Sequence, residues 1–456
     1  MRMSDKTLVY AALLSICLSF QCKSTSKLSP QSQGSDELLP WIHDDYPQAL
    51  KESEAKGLPI VIDFWAAWCH TCLSMKHTVL QSKELKKVAG DAIWLAVDTE
   101  NPANQDILDV YTITVWPTFL IVDDEENTSA RLLGSTSVDG FMAFLDRGFK
   151  STKATSSKSH LSLGDSEAAK GNFHEASQHY QNAATTLPKG SIPSPEVMLA
   201  WVESLHRLER YDECAQVGTK RQDAVYSSLN ATLADYAYFL TDCQKRVKAP
   251  DLQNTRLQFI TLIENLLKNR TAKLSTDDRS EALRMLRNFY VQEESTEKAK
   301  TTAERQKHLL DKAVKNSKTP YEAMTYSFHR MDVYSYLGNI KDMIPWFKSL
   351  TQQLPEEYDP PYRLASVYNE IENHTKALEY AALAQSRAEG PRRARVLSFT
   401  AKIHAKTKAF DAAIKAQNEA LKIYQRQPQT PRNAKTLKKQ RAELLRLQSL
   451  QEVVTP

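Results

Sequence analysis

The sequence predicts an α/β domain followed by an all-α helical-repeat array. Between residues 38 and 150 apolar strand-like runs alternate with helical segments, and from Asp165 onward the strand patterns vanish. The helical part then recurs with a period of roughly 34 to 38 residues. A chain of 456 residues exceeds what one hydrophobic core organises, so two or more domains are expected. With 41% hydrophobic and 25% charged residues, the composition is globular rather than disordered.

Within the first domain, Leu58 to Trp65 carries an Ile-Val-Ile-Phe run suited to a buried strand. Ile93 to Asp98 is a second strand and Pro117 to Val122 a third. Helical segments are expected at Tyr46 to Lys56, Cys69 to Val88, Gln105 to Tyr111 and Val138 to Phe149. Two polar stretches mark the boundaries. Residues 23–37 read as a tether, and residues 151–163, rich in Ser, Thr and Lys, read as a linker without helical periodicity.

The repeats have a checkable register. In the second helix of each hairpin a large residue is followed by a small one three later, a bulky one four beyond, and another small one after three more. Phe173, Ala176, Tyr180 and Ala183 fit, with Pro188 closing; Ile340, Met343, Phe347 and Leu350 fit more loosely, with Pro355 closing. His374, Ala377, Ala381 and Ala384 follow, then Phe410, Ala413, Gln417 and Ala420. Met343, Ala377 and Ala413 are spaced by 34 and then 36 residues. This resembles the tetratricopeptide-repeat family over residues 164–450, with Tyr211, Cys214 and Gly218 as a degenerate copy and residues 230–330 helical without a clear register. Each hairpin leaves an apolar face for its neighbour to cover, so these residues are packing residues first. The resemblance implies a concave surface for a protein partner; a rigid spacer or dimerisation arm is the plainer alternative, and no groove residue stands out.

Residues 1–22 read as an export signal, with Arg2 and Lys6 preceding an apolar run from Leu8 to Phe20 that is too short to span a bilayer. Cys22 stands where a bacterial lipoprotein is cleaved and acylated, although Phe20 and Gln21 are not the small residues such signals favour; plain secretion is the alternative. The expected location is the bacterial envelope or periplasm, with membrane contact through a lipid on Cys22. The net charge of +4 is spread along helical sequence, so no nucleic-acid partner is expected. Six cysteines are too few for a disulfide scaffold. Cys17 and Cys22 belong to the signal region; Cys214 and Cys243 are compatible with a bond to each other or with two free buried thiols.

Cys69 and Cys72 are a Cys-x-x-Cys pair. Zinc uses the same spacing but needs four ligands. A second cysteine pair is absent and His70 points away from a shared tetrahedron, so neither metal nor any other cofactor is expected. The pair directly follows a strand and opens a helix, where backbone N–H groups and the helix dipole favour a thiolate.

The run Val61-Ile62-Asp63-Phe64-Trp65-Ala66-Ala67-Trp68-Cys69-His70-Thr71-Cys72 resembles a thioredoxin active-site strand and turn. Val115-Trp116-Pro117-Thr118 is similar to that family's cis-proline loop, and Gly134 to its late-strand glycine. Met75-Lys76-His77-Thr78-Val79 with Glu84-Leu85 most resembles the C-terminal domain of the transmembrane thiol:disulfide interchange reductases of bacterial envelopes. The likeness covers about a quarter of the chain and implies a thioredoxin fold over residues 38–150. By resemblance, Cys69, exposed at the helix start, attacks a substrate disulfide and Cys72 resolves the mixed disulfide. Asp63 accepts the proton of Cys72. Pro117, if cis, brings the backbone of Trp116 beside the sulfurs to pair with an extended substrate. Trp68, His70, Thr71 and Trp116 would line the substrate, while Trp65 and Trp68 pack and shape the site.

Two departures stand out: His-Thr replaces the thioredoxin dipeptide Gly-Pro, and Trp94 replaces the lysine that pairs with the buried aspartate. A charged His70 beside Cys69 would make the pair more oxidising than thioredoxin's roughly −270 mV, towards about −180 mV. The expected function is an envelope thiol:disulfide oxidoreductase, a protein-disulfide reductase whose partners are protein thiols and disulfides, an upstream thiol donor and a protein on the repeats. The rival is a tetratricopeptide adaptor in which the thioredoxin fold only binds.

Overall fold

The computed structural model describes residues 38–153, 159–187, 191–226, 232–269, 271, 274–427 and 431–454. The export signal, Cys22, the 23–37 tether and Pro188 lie outside the described residues.

The α/β domain is built on a five-stranded sheet of order β1-β3-β2-β4-β5. Its strands are β1 (Trp41–His43), β2 (Ile60–Trp65), β3 (Ile93–Asp98), β4 (Thr118–Val122) and β5 (Thr128–Leu133). β3 runs parallel to β1 and β2, whereas β4 pairs antiparallel with both β2 and β5. The sequence reading lacks β1 and β5: the first has three residues, and Thr128-Ser129-Ala130-Arg131 carries too many polar side chains for an apolar-run signal. The apolar character of β2 follows from burial on both faces. Val61 joins Trp94, Phe119 and Ile121 in one cluster, while Ile60, Ile62 and Phe64 join Leu95, Val97 and Leu120 in the other.

Helices α1 (Tyr46–Lys56), α2 (His70–His77), α3 (Lys83–Lys86), α4 (Gln105–Val110) and α5 (Val138–Lys153) complete the domain. The helix expected from Cys69 to Val88 is broken after His77. Thr78 is spent on the Ser74 carbonyl, and the Ser82 hydroxyl caps a fresh start at α3.

The array continues through α6 (His160–Ala169), α7 (Phe173–Thr185), α8 (Pro195–Arg207), α9 (Tyr211–Lys220), α10 (Gln222–Tyr226), α11 (Thr232–Arg246), α12 (Leu252–Lys268), α13 (Thr276–Gln292) and α14 (Thr296–Asn316). It ends with α15 (Pro320–Met324), α16 (Ser327–Tyr336), α17 (Ile344–Gln353), α18 (Asp359–Glu370), α19 (His374–Arg387), α20 (Gly390–Lys406), α21 (Phe410–Gln425) and α22 (Pro431–Val454). The second helices α7, α9, α19 and α21 open at the register residues Phe173, Tyr211, His374 and Phe410. Ile340 instead opens a 3₁₀ turn, because Pro345 starts α17 a turn later. The small register positions Ala176, Ala377, Ala384, Ala413 and Ala420 are fully buried. Gln417, a polar residue in that register, donates its amide N–H to the Gln440 side-chain oxygen at 2.8 Å, while its own Oε1 is buried without a partner.

Helix extends into both ends of the 151–163 stretch, since α5 runs to Lys153 and the Ser159 hydroxyl caps α6 by accepting from the Ser162 N–H. Cys214 and Cys243 are bonded, joining α9 to α11. No helix among the described residues is long and apolar enough to cross a membrane.

Candidate functional site

β2 delivers the chain through Ala66-Ala67-Trp68 to Cys69, whose sulfur occupies the N-cap of α2 and accepts from the Cys72 N–H at 3.0 Å. Cys69 and Cys72 are bonded, with Sγ–Sγ 2.04 Å. Around them pack Ala66, Trp65, Trp68 and Trp116. The Trp116–Pro117 peptide is cis, and the Pro117 carbonyl accepts from the Gly134 N–H at 2.9 Å. Gly134 has φ +69°, and a side chain there would approach the Asp235 carboxylate of α11, so glycine suits both the backbone and the neighbour. The Trp68 and Trp116 rings stand 5.5 Å apart, and the Trp116 indole N–H donates to the Thr99 hydroxyl at 2.9 Å.

Asp63 lies in the middle of β2, and its Oδ1 has no hydrogen-bond partner. Burial pushes its pKa up to about 7, with Lys76 of α2 pulling in the opposite direction. Trp94 is fully buried, its indole N–H donating to the Ala89 carbonyl; Lys76 supplies the positive charge felt by Asp63. Lys76 lies one helical turn after Cys72, and only its distance from Asp63 along the chain hid it.

The largest correction concerns exposure. Cys69 is 3% exposed rather than open to solvent, because helices of the array pack on the α2 turn. The residues expected to line a substrate already have partners from the same chain. The Thr71 side chain lies beside Asp277 of α13 and favours its charged form. The Arg395 guanidinium of α20 lies 5.3 Å from the Trp68 ring centre. The His70 ring stacks on Phe328 of α16 at 4.9 Å and stands 4.2 Å from His329. Arg392 and Arg395 also pair with Asp98 and Glu100 at the end of β3, and Ala67 packs on the cluster formed by Tyr358, Ala384, Ala388 and Val396.

These neighbours disfavour a charged His70 beside Cys69. With Cys69 and Cys72 bonded, burial, reinforced by the neighbouring His329, holds the His70 pKa well below its ordinary value and favours a neutral ring, which counts against the charge invoked for a more oxidising pair. His329 is the opposite case: burial works against its charge, but Asp277 and Glu281 outweigh burial and raise its pKa. Asp277, Phe328, His329, Arg392 and Arg395 all escaped the sequence reading, since nothing local links them to position 70.

Residues 41–123 match the family model described as thioredoxin-like. The domain is thioredoxin-like. Over 106 residues the thioredoxin-like domain is 30% identical to a thiol:disulfide interchange protein DsbD of Salmonella typhi, covering 22% of this chain and 18% of that relative. The chain thus spans about a fifth of the curated relative's length. Among solved structures, a DsbH oxidoreductase is 25% identical and aligns over 25% of this chain and 85% of its own, with TM-score 0.22. A tetratricopeptide-repeat protein from Parabacteroides merdae is 15% identical and aligns over 62% and 99%, with TM-score 0.39. By its thioredoxin-like match and the register described above, the chain is a thioredoxin-like domain fused to tetratricopeptide-type repeats.

Proposed function

We propose that this chain is a thiol:disulfide oxidoreductase of the bacterial envelope, acting as a protein-disulfide reductase. The observation that carries the reading is the bonded Cys69–Cys72 pair at the start of α2, backed by buried Asp63 and flanked by Pro117, on a thioredoxin-like domain.

In the reduced protein the Cys69 thiolate attacks one sulfur of a client disulfide. A Cys69–client bond forms and the client's other sulfur leaves as a thiolate. Cys72 then passes its proton to Asp63 and attacks the Cys69 sulfur, releasing the second client thiolate and leaving Cys69–Cys72 bonded. Two electrons pass from the pair to the client, and an upstream dithiol donor restores them. The main chain of Trp116, beside Pro117, pairs with the client segment, and the faces of Trp68, His70 and Thr71 meet it once α13, α16 and α20 have moved off the turn. In this reading the repeats decide which proteins reach the pair, and Cys22, when acylated, tethers the enzyme to the membrane.

The same burial favours one rival, an adaptor in which the thioredoxin-like domain is a docking surface for its own repeats and exchanges no disulfides. Trapping separates the two. Full-length Cys72→Ser, expressed in the native host and quenched with acid, should carry a discrete set of proteins disulfide-linked to Cys69. A complete lack of Cys69-dependent adducts would leave the adaptor as the better account.

A further inference from the structure

Between the redox turn and the array lies a cluster of metal-ligating side chains. Ligand atoms of His70, Asp277 and His329 all lie within 4.8 Å of one another. Asp277 Oδ1 stands 3.9 Å from His70 Nε2 and 3.5 Å from His329 Nδ1. Asp277 is 2% exposed and His329 fully buried, yet Asp277 Oδ1 and both ring nitrogens of His329 have no hydrogen-bond partner. Buried polar atoms left in this way are costly, and their convergence on one point asks for something to sit there.

We propose that His70, Asp277 and His329 form a binding site for a divalent transition cation of the zinc type, placed between the redox turn and helices α13 and α16. Zinc bonds of about 2.0–2.2 Å to nitrogen and oxygen put tetrahedral ligands roughly 3.3 Å apart, so the observed spacings close on an ion with small side-chain shifts. Two imidazoles and one carboxylate suit zinc and its neighbours and not calcium or magnesium, which take oxygen ligands. The surroundings fit as well. Glu281 Oε2 lies 3.2 Å from His329 Nε2, and Arg284 holds Glu281 through both of its oxygens. A carboxylate at that distance from the far nitrogen is placed to take up its N–H once the ring adjusts, and a metal entering at Nδ1 would displace a proton from the ring. Zinc was not expected from the sequence because the cysteine pair lacks a second pair; these ligands come instead from three separate helices.

The site stands whether or not the pair exchanges disulfides. Bound metal would fasten α2 to α13 and α16 and so hold the cover over Cys69.

The test uses full-length, metal-stripped protein with the disulfides intact and remaining thiols alkylated, so that cysteine thiolates do not compete. Equilibrium dialysis against Zn²⁺ should give one ion per chain and a raised melting temperature, and Co²⁺ should give the visible absorption of a low-coordinate nitrogen and oxygen site. Asp277→Asn and His329→Gln should weaken binding at least 100-fold, and Glu281→Gln about 10- to 100-fold. His70→Gln, at a less buried position, covers the case in which the two deeper variants fail to fold. Absence of stoichiometric Zn²⁺ on the wild type overturns the proposal, as does undiminished binding by folded His70→Gln.

Discussion

Two disulfides among the described residues are almost equally hidden: Cys69 and Cys72 are each 3% exposed, and Cys214 and Cys243 are fully buried. What covers them differs. Cys214–Cys243 lies inside one apolar cluster with Tyr180, Val202, Phe239 and Leu240, so solvent reaches it only if the hairpins come apart. Cys69–Cys72 lies in a small cluster with Ala66 and three tryptophans, edged by charged and polar groups: Asp98 and Glu100 against Arg392 and Arg395, and Thr71 against Asp277. A seam of ions and hydrogen bonds can exchange its partners for water, whereas an apolar core cannot open so cheaply. Under the proposed function, low exposure therefore describes an inert crosslink in one place and a covered reactive group in the other.

The sharpest way to break this comparison is to remove one sulfur from each bond. Cys69→Ser should abolish insulin reduction down to the assay background, because the attacking thiolate is gone. Cys214→Ser should leave the rate per folded molecule unchanged, yet lower stability in urea unfolding by on the order of 3–4 kcal/mol, from a crosslink that spans 29 residues. Equal loss of turnover in both variants would mean that Cys214–Cys243 is not merely structural.

The seam itself is next in size. Arg392→Ala with Arg395→Ala strips Asp98 and Glu100 of their cations and uncovers the Trp68 face. If the cover loosens by about 1–2 kcal/mol, a small thiol should reduce Cys69–Cys72 roughly 5- to 30-fold faster. High salt should accelerate the wild type in the same direction and the double variant less. An unchanged rate in both would place the barrier to access elsewhere than in these ion pairs.

The two regions also differ in how legible they were. Within the thioredoxin-like domain, Asp63, Cys69, Cys72 and Pro117 sit on one strand, one turn and one loop whose residue types announce their places, and the repeat register named the first residue of four helices. What stayed hidden depends on long-range packing. His70 read locally as a charged neighbour of a thiolate, because position 70 says nothing about Phe328, His329 or Asp277. The exposure of Cys69 was misjudged for the same reason: an isolated α/β domain would leave that helix start open, and helices of the array, α13, α16 and α20 among them, pack over it. β5 was missed because Arg131 and its polar neighbours are buried by partners from the array, with Arg131 paired to Glu203 of α8 at 3.3 Å.

The smallest effect bears on Asp63. Burial lifts its pKa to about 7, above the ordinary carboxylate range, so between about pH 4 and pH 7 the folded protein keeps a proton that the unfolded chain has released. Stability from this group is therefore present at low pH and falls as pH rises towards 7. Asp63→Asn should accordingly lose less stability than the wild type as pH rises across that window, which paired thermal melts would measure. It should also slow resolution of the mixed disulfide a few-fold and remove an inflection near pH 7 from that rate, since the proton of Cys72 would have nowhere adjacent to go. Retention of the inflection in a folded Asp63→Asn variant would assign it to another group and leave Asp63 a buried cost with no part in the exchange.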